Sequence, residues 1–540
     1  MLTAPDGGKP VFAIALSAFF ALALFIWWHA DNSYPFWDAA SHVKDSIKYA
    51  ELFRHPHLVK LHWWKEFLTV NYDYPLTLHA YFGFFKAIFG YGRLSDCLAF
   101  LTLQFVFNLS IYRLTILTTR DKLAAALAIL IVNCYPMVNM LSHIQLLDYG
   151  AIVLGTLGLL GTVIWSEERR FKNALIMGLT VALASTAKQM SAIYMIAPCL
   201  ILFFQCLLKK QTKQLSQLIL AGSIVAFSLL AWLIPNLESL REWVNYYKGD
   251  RMHSGSYLSS CLENFSGYVG GLPTMMSPLL TLLFVLAAAY VFRNRNRYGE
   301  TLWIPVTANV GGLLLMSFLS INKPELRYIV PVLTVPAIVT ALLFADIWRS
   351  KAKMLAPILL ATILIQFVIY NFAPYPLPLP EGVARTVREI AGHSVKQEAV
   401  EPRPNPTARG DLYGQNWAIG EVGKAQRGVK TYLNIQPSTP DLSVHTLDLV
   451  ALFSDCKIEC STFRMFTLRG DKIRYDENAI KFYPWYLLKT GHQGGDFYDS
   501  ESARNYQAIE NFIKSGKDFT LYASHKIADG SELSLYHRKY

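Results

Sequence analysis

Three basic residues, Lys188, Lys323 and Arg327, and two acids, Asp38 and Asp148, are the side chains of this sequence best placed to do chemistry. Each stands at the end of an apolar stretch, on the side opposite the one crowded with Lys and Arg. Charge is costly at a membrane boundary, so both signs gathered on one side read as a site. Arginine grips a phosphate through two parallel N–H donors, whereas lysine supplies a point charge. Lys323-Pro324-Glu325-Leu326-Arg327-Tyr328 and the tight hairpin Lys188-Gln189 would together hold a lipid phosphate or pyrophosphate and stabilise it as it leaves. The competing account is snorkelling to lipid headgroups, and Glu325 pairs with one of the cations in either case. Asp38, in Pro35-Phe36-Trp37-Asp38-Ala39-Ala40, either accepts the proton of an acceptor hydroxyl or caps a helix over 39–54, and the two roles are compatible. Asp148 closes His143-Ile144-Gln145-Leu146-Leu147-Asp148 and is a second acid or a cap on the span that follows. Asp73, in Asn71-Tyr72-Asp73-Tyr74-Pro75, is a third acid, or simply begins the next helix. The pattern points to an enzyme that handles an anionic, lipid-borne group outside the cytoplasm.

The elements that must position these residues are membrane spans. With 53% hydrophobic and only 16% charged residues in 540, the chain reads as a polytopic membrane protein. Eleven apolar stretches fall at about 11–29, 94–117, 123–141, 149–165, 174–187, 190–208, 215–235, 276–292, 301–319, 328–346 and 354–372. Alternate connections, 118–122, 166–173, 209–214, 293–300 and 347–353, hold 14 Lys and Arg in 34 positions. Five loops of one parity put the N-terminus in the cytoplasm and the C-terminal region outside. The net charge of +11 raises the question of nucleic acid. Residues 374–540 carry 21 Lys and Arg against 20 Asp and Glu, so the surplus lies in the membrane half and nucleic acid is not an expected partner. The first span, followed by Asp31-Asn32-Ser33-Tyr34 rather than small residues, reads as a retained signal-anchor. Cys456 and Cys460 are the only close cysteine pair, either a disulfide in an oxidising compartment or two thiols. No metal-ligand spacing occurs, so neither a metal site nor a cofactor is expected.

Three larger pieces are expected outside. The loop of about 30–93 is aromatic, and residues 74–91 within it predict a helix lying in the interface, with Lys86 inside it. Residues 236–275 predict a polar loop. After Pro374, Pro376, Pro378 and Pro380, a stiff linker, residues 374–540 predict a small α/β domain, separate from the membrane domain of 1–373. In it, 501–515 has helical periodicity and 518–537 predicts a hairpin about Asp529-Gly530. It contains no catalytic motif.

In order and topology, most of 1–373 resembles the polyprenyl-phosphate-sugar-dependent glycosyltransferases of the GT-C fold, and within them the protein O-mannosyltransferase and aminoarabinose transferase group. The resemblance is carried by Trp37-Asp38, by Tyr72-Asp73-Tyr74-Pro75-Leu76 before a helix ending Phe89-Gly90, by Leu147-Asp148, by Ala187-Lys188-Gln189, and by Lys323…Arg327-Tyr328…Pro331. It implies a polytopic α-helical membrane protein of about 11 spans with an extracytoplasmic C-terminal α/β domain; the sparse cysteines and compact loops point to a bacterial inner membrane. It implies sugar transfer from a polyprenyl-phosphate donor to a hydroxyl of a lipid, glycan or protein, inverting and without metal. Asp38 would be the catalytic base, Asp148 a second active-site acid, and Lys323, Arg327 and Lys188 the donor-phosphate contacts. Trp37, Asp73 and Tyr328 would touch acceptor or donor. Two positions depart from the pattern: Asp38-Ala39 where many relatives have Asp-Glu, and Lys188-Gln189 where they often have Lys-Gly.

Two other functions remain open on the sequence. A transporter or flippase of lipid-linked sugars should carry charge near the bilayer midplane and show repeated halves, and neither is visible here. A non-catalytic assembly factor would leave Asp38 without a chemical role.

Overall fold

A computed structural model describes residues 11–248, 257–298, 300–319, 325–372, 413–436, 438–439, 442–463, 475–491, 500–527 and 530–539. Lys323 and the proline run from 374 to 380 lie outside the described residues. The chain divides into two compact units. One holds residues 1–29, 46–240 and 253–395; the other holds 30–45, 241–252 and 396–540.

The larger unit is helical because its sequence is a series of apolar runs, and a backbone in lipid must satisfy its own hydrogen bonds. Its helices are α1 (Val11–Ala30), α2 (Trp37–Arg54, of which the part from Ser46 belongs here), α3 (Leu61–Thr69), α4 (Thr77–Phe89), α5 (Arg93–Thr119), α6 (Lys122–Asn133), α7 (Pro136–Ser142), α8 (Leu147–Glu168), α9 (Phe171–Ser185), α10 (Gln189–Leu208), α11 (Thr212–Lys248, of which the part to Leu240 belongs here), α12 (Tyr257–Gly270), α13 (Leu272–Met276), α14 (Pro278–Arg293), α15 (Trp303–Leu319), α16 (Thr334–Arg349) and α17 (Leu355–Phe372). All eleven apolar stretches fall on these helices. Among the described residues seven helices are long and apolar enough to cross a membrane alone, and nine cross if each bent pair is one span. The two stretches left over are the shorter apolar helices α9 and α15.

Both bends have a local cause. The 67° break between α6 and α7 comes at Cys134–Tyr135, where Pro136 cannot continue the preceding turn. The 115° break before α14 comes at Ser277, a non-glycine residue at φ 77, with Pro278 after it. The Ser277 hydroxyl accepts from the Leu280 amide and donates to Gln366, which holds the corner. This region corrects an expectation: 236–275 is not a plain loop. The helix α11 runs on to Lys248, and α12 forms from Tyr257 because Cys261, Asn264 and Tyr268 recur every three to four residues on one buried face.

The helix α8 is apolar all round and almost wholly buried, whereas α1 and α11 leave Phe12, Phe19, Leu22, Phe227 and Ile234 exposed, a lipid-facing pattern. Small residues let the helices approach. A Cβ on Gly150 would meet the Leu78 side chain at 2.3 Å, and one on Gly83 would meet Tyr49 Cβ at 2.5 Å. These contacts seat α4 against α8 and against the second half of α2. Lys86 of α4 is fully buried and ion-paired with Asp96 in the first turn of α5, so this lysine is a fastener within the protein.

The smaller unit contains a five-stranded sheet of order β2-β1-β3-β5-β4. Its strands are β1 (Thr431–Gln436), β2 (Ile458–Ser461), β3 (Trp485–Thr490), β4 (Phe519–Lys526) and β5 (Glu532–Arg538). β1 runs parallel to β2 and β3, and β5 pairs antiparallel with β3 and β4. The hairpin expected about Gly530 is β4–β5, and among the described residues from 413 onward the helix expected at 501–515 is one of four: α18 (Gln415–Gln426), α19 (Val444–Phe453), α20 (Glu477–Phe482) and α21 (Ser500–Lys514). Alternation along β3 sends Trp485 and Leu487 to one core with Ile419, Val422, Leu447 and Val450, and Tyr486 and Leu488 to another with Ile480, Ile509 and Ile513. Cys456 and Cys460 are both free thiols.

Candidate functional site

The tightest group of the expected residues lies in the larger unit, where three elements meet. The first is the start of α8. Its N-cap, Leu146, offers no side-chain cap, and Asp148 is the second residue of the helix, so the capping reading of Asp148 is not realised. The second is the turn between α9 and α10, whose N-cap is Lys188. The third is a 3-10 helix, Leu326–Leu333, which carries Arg327 and Tyr328 into α16.

Lys188 Nζ donates to Asp148 Oδ1 at 2.5 Å, and the two side chains are 7% and 2% exposed. The same ammonium lies 4.9 Å from the centre of the Tyr328 ring, and the Arg327 guanidinium 5.6 Å from it. Arg327 Nε donates to Glu325 Oε2 at 2.7 Å, and Arg327 is 26% exposed, so it is the more accessible of the two cations. Burial and the Arg327 charge push the Lys188 ammonium below its ordinary pKa, and the Asp148 carboxylate pulls it back up. Asp148, buried with it, is the counter-charge that stabilises the Lys188 ammonium.

Around the pair the chain is closely fastened. Leu78, Leu147, Leu154, Ala184 and Ala187 form the apolar base of the site, with Tyr74 packed on it. Gln189 donates its amide N–H to the carbonyl of Asp73, and Thr77 donates to Thr186 at 2.7 Å, which ties the segment before α4 to the α9–α10 turn. Tyr194 donates its hydroxyl to the Tyr328 carbonyl at 3.1 Å. Asp73 does not begin α4, which starts at Thr77; it sits in a turn made by Asn71, whose side-chain oxygen accepts from the amides of Asp73 and Tyr74 at 2.8 and 2.9 Å. The structure therefore brings Asp148, Lys188, Arg327 and Tyr328 together, with Asp73 linked through Gln189. Tyr194, Thr77 and Thr186 were not singled out from the sequence, where a hydroxyl on an apolar helix gives no signal of its own.

Trp37 and Asp38 belong to the smaller unit. The helix α2 starts at Trp37, two residues earlier than a cap at Asp38 on a helix from 39 requires, and Asp38 lies in its first turn. Trp37 has φ 36, a backbone region unfavourable for a bulky residue, and strain of this kind gathers where function over-determines the geometry. The same stretch is fastened to the C-terminal helices: Tyr34 donates to Asn416 at 2.7 Å, and Lys44 donates to Asp448 Oδ2 at 2.6 Å. The charges acting on His445, one turn before Asp448 on α19, come from Lys44, Asp448, Asp38 and Asp45.

No family model matches this chain, and no curated protein matches it. Among solved structures, ArnT from Cupriavidus metallidurans in the apo state aligns with a TM-score of 0.56 at 13% identity, covering 97% of each chain. The same protein bound to undecaprenyl phosphate aligns with a TM-score of 0.53 at 12% identity, covering 98% of each. The fold shared with ArnT over nearly the whole chain is GT-C, as the sequence resemblance leads one to expect.

Proposed function

We propose that this GT-C-fold membrane protein is a glycosyltransferase that moves a sugar from a polyprenyl-phosphate donor to a hydroxyl on a lipid, glycan or protein outside the cytoplasm. The observation that carries the reading is the Asp148–Lys188–Tyr328–Arg327 group, a buried ion pair and an accessible guanidinium on one aromatic ring, in a fold whose ArnT example binds undecaprenyl phosphate. Residues 1–373 form the membrane catalytic domain and 374–540 an extracytoplasmic domain. The chain sits in a bacterial inner membrane with its N-terminus inside, which the parity of the basic loops supports.

In this reaction the acceptor oxygen attacks the anomeric carbon while the bond from that carbon to the phosphate oxygen breaks. The configuration inverts, and the acceptor proton passes to the Asp38 carboxylate. The departing phosphate takes the electron pair and is held by Arg327 and Lys323. Lys188 adds positive charge from behind and, through Asp148, stays fixed against Tyr328. Trp37 and Asp73 contact the sugar or the acceptor. The mechanism uses no metal and no cofactor.

The test is transfer in liposomes with a panel of polyprenyl-phosphate sugars, wild type against Asp38→Asn, with donor binding measured in parallel. Transfer by the wild type alone, with donor bound by both, is the expected result. Donor binding by both with transfer by neither, and with donor crossing between leaflets, replaces the transferase with a flippase.

A further inference from the structure

The connection from α2 to α3 turns its apolar side chains outward. Val59 is 98% exposed, Leu61 84% and Leu58 59%, and Trp64 beside them is exposed too. A connecting turn ordinarily shows polar residues to water, and an exposed apolar patch rimmed by polar residues marks a surface that something covers. We propose that the turn Leu58–Leu61, with Lys60 and Lys65, docks into the surface of the bilayer around the protein and prefers anionic phospholipid headgroups there. The docking depends on the chain spanning a membrane and not on the reaction proposed above.

The turn is braced. The Lys60 amide donates to the His57 carbonyl at 2.8 Å, the Trp63 amide donates to the Lys60 carbonyl at 3.1 Å, and the Trp64 indole N–H donates to the Leu58 carbonyl at 2.8 Å. Behind it Trp63 is buried with Tyr49, Leu52 and Ala80, and stacks on Phe67 with 5.1 Å between ring centres. Trp63 fills the core beneath the turn, so Val59 and Leu61 are left outside it. At the base, Arg54 donates from the end of α2 to the Lys86 and Ala87 carbonyls at 3.1 and 3.3 Å, which ties the turn to the last turn of α4.

Continuity with a lipid-facing surface says what covers the patch. Phe67 meets Phe53 at 5.8 Å and Phe53 meets Phe84 at 6.0 Å, a run of rings from α3 to α4. Beyond Phe84, α4 exposes Ile88 and Phe89. The helix α4 lies along α5, where Tyr81 donates to the Ala99 carbonyl at 2.8 Å and Lys86 pairs with Asp96. In turn α5 is long and apolar enough to span a membrane, with Leu94, Phe105 and Leu109 exposed. Charge agrees with this occupant. From 52 to 65 the chain carries Arg54, Lys60 and Lys65 and no acid. Glu51 and Glu66 stand at the two ends, 4.0 and 3.9 Å from His55 and His62. Lys60 and Lys65 are exposed and form no ion pair among the described residues. Their stems can lie along the apolar patch while the ammonium groups reach lipid phosphates. A surface segment of this composition binds through its buried apolar area plus attraction to anionic lipid.

The test places the photocrosslinker p-benzoylphenylalanine at position 59, and separately at 61, in the full-length chain reconstituted in vesicles of phosphatidylethanolamine and phosphatidylglycerol. Position 227 on α11, where Phe227 is 76% exposed, serves as the lipid-facing reference. After irradiation the adducts are identified by mass spectrometry. Phospholipid adducts are expected at 59 and 61, with a phosphatidylglycerol share about threefold that found at 227. Lys60→Gln with Lys65→Gln should bring the share at 59 down to that at 227 and leave the unfolding midpoint at the wild-type value. Lipid adducts at 227 with none at 59 or 61 overturn the docking, as do adducts at 59 and 61 only to a second copy of the chain. Lipid adducts at 59 with the same phosphatidylglycerol share as at 227, unmoved by the double variant, overturn the headgroup preference.

Discussion

Lys188 and Arg327 carry the same charge but stand in different surroundings, and their substitutions should separate accordingly. Lys188 is buried against Asp148, so Lys188→Met leaves a carboxylate without its cation and should destabilise the protein by about 3–5 kcal/mol. Lys188→Met with Asp148→Leu, which removes both charges, should recover most of that loss in thermal unfolding. Recovery of stability without recovery of transfer would show that the pair also serves the reaction; a double variant no more stable than the single would show that the pair is not what is being measured. Arg327 is more exposed, and Arg327→Lys keeps the charge while giving up the paired N–H geometry. It should raise the donor KM about tenfold, roughly the value of one charge-assisted hydrogen bond, and leave the unfolding midpoint close to wild type. A large fall in stability instead would place Arg327 among the structural residues.

At the scale of elements, the site depends on how closely α4 lies against α8 and α2. Gly83 and Gly150 permit this, but a methyl group at each meets a different obstacle. At Gly83 the added carbon meets the Tyr49 Cβ and the Ser46 carbonyl oxygen at 2.5 and 2.8 Å, atoms that move only if the helices part. At Gly150 it meets the far end of the Leu78 side chain, which can turn aside. Gly83→Ala should therefore cost about 1–3 kcal/mol and Gly150→Ala less, measured as shifts in thermal unfolding. Equal effects would mean that α4 is held by something other than this approach. The spanning helices were legible in the sequence, since each falls on an apolar run. Their bends were not: Pro136 and Pro278 are visible, but a proline marks a break without giving its angle. The helix α12 was missed because polar and apolar residues are interleaved in it, and its buried face shows only when Cys261, Asn264 and Tyr268 are seen on one side.

At the scale of the whole molecule, the basic loops assign sides to the membrane and predict where the C-terminal region resides. A fusion partner that becomes active only outside the cytoplasm should be active when joined after Tyr540 and inactive when joined after Arg295. Activity at both points would reverse the orientation. What the sequence determined by itself was what depends on composition over a span: the apolar helices, the parity of charged loops, the mixed helix and strand content of the last third, and the shortlist Asp38, Asp148, Lys188, Lys323 and Arg327. Charge next to an apolar run stands out because its cost depends on the run, not on the fold. Which of these side chains meet was decided only by the tertiary structure. Lys188 finds Asp148 forty residues away and comes to rest against Tyr328, and Lys44 finds Asp448 across the chain. Those pairings follow from where packed helices and a folded sheet place their ends, and no local pattern of residues encodes them.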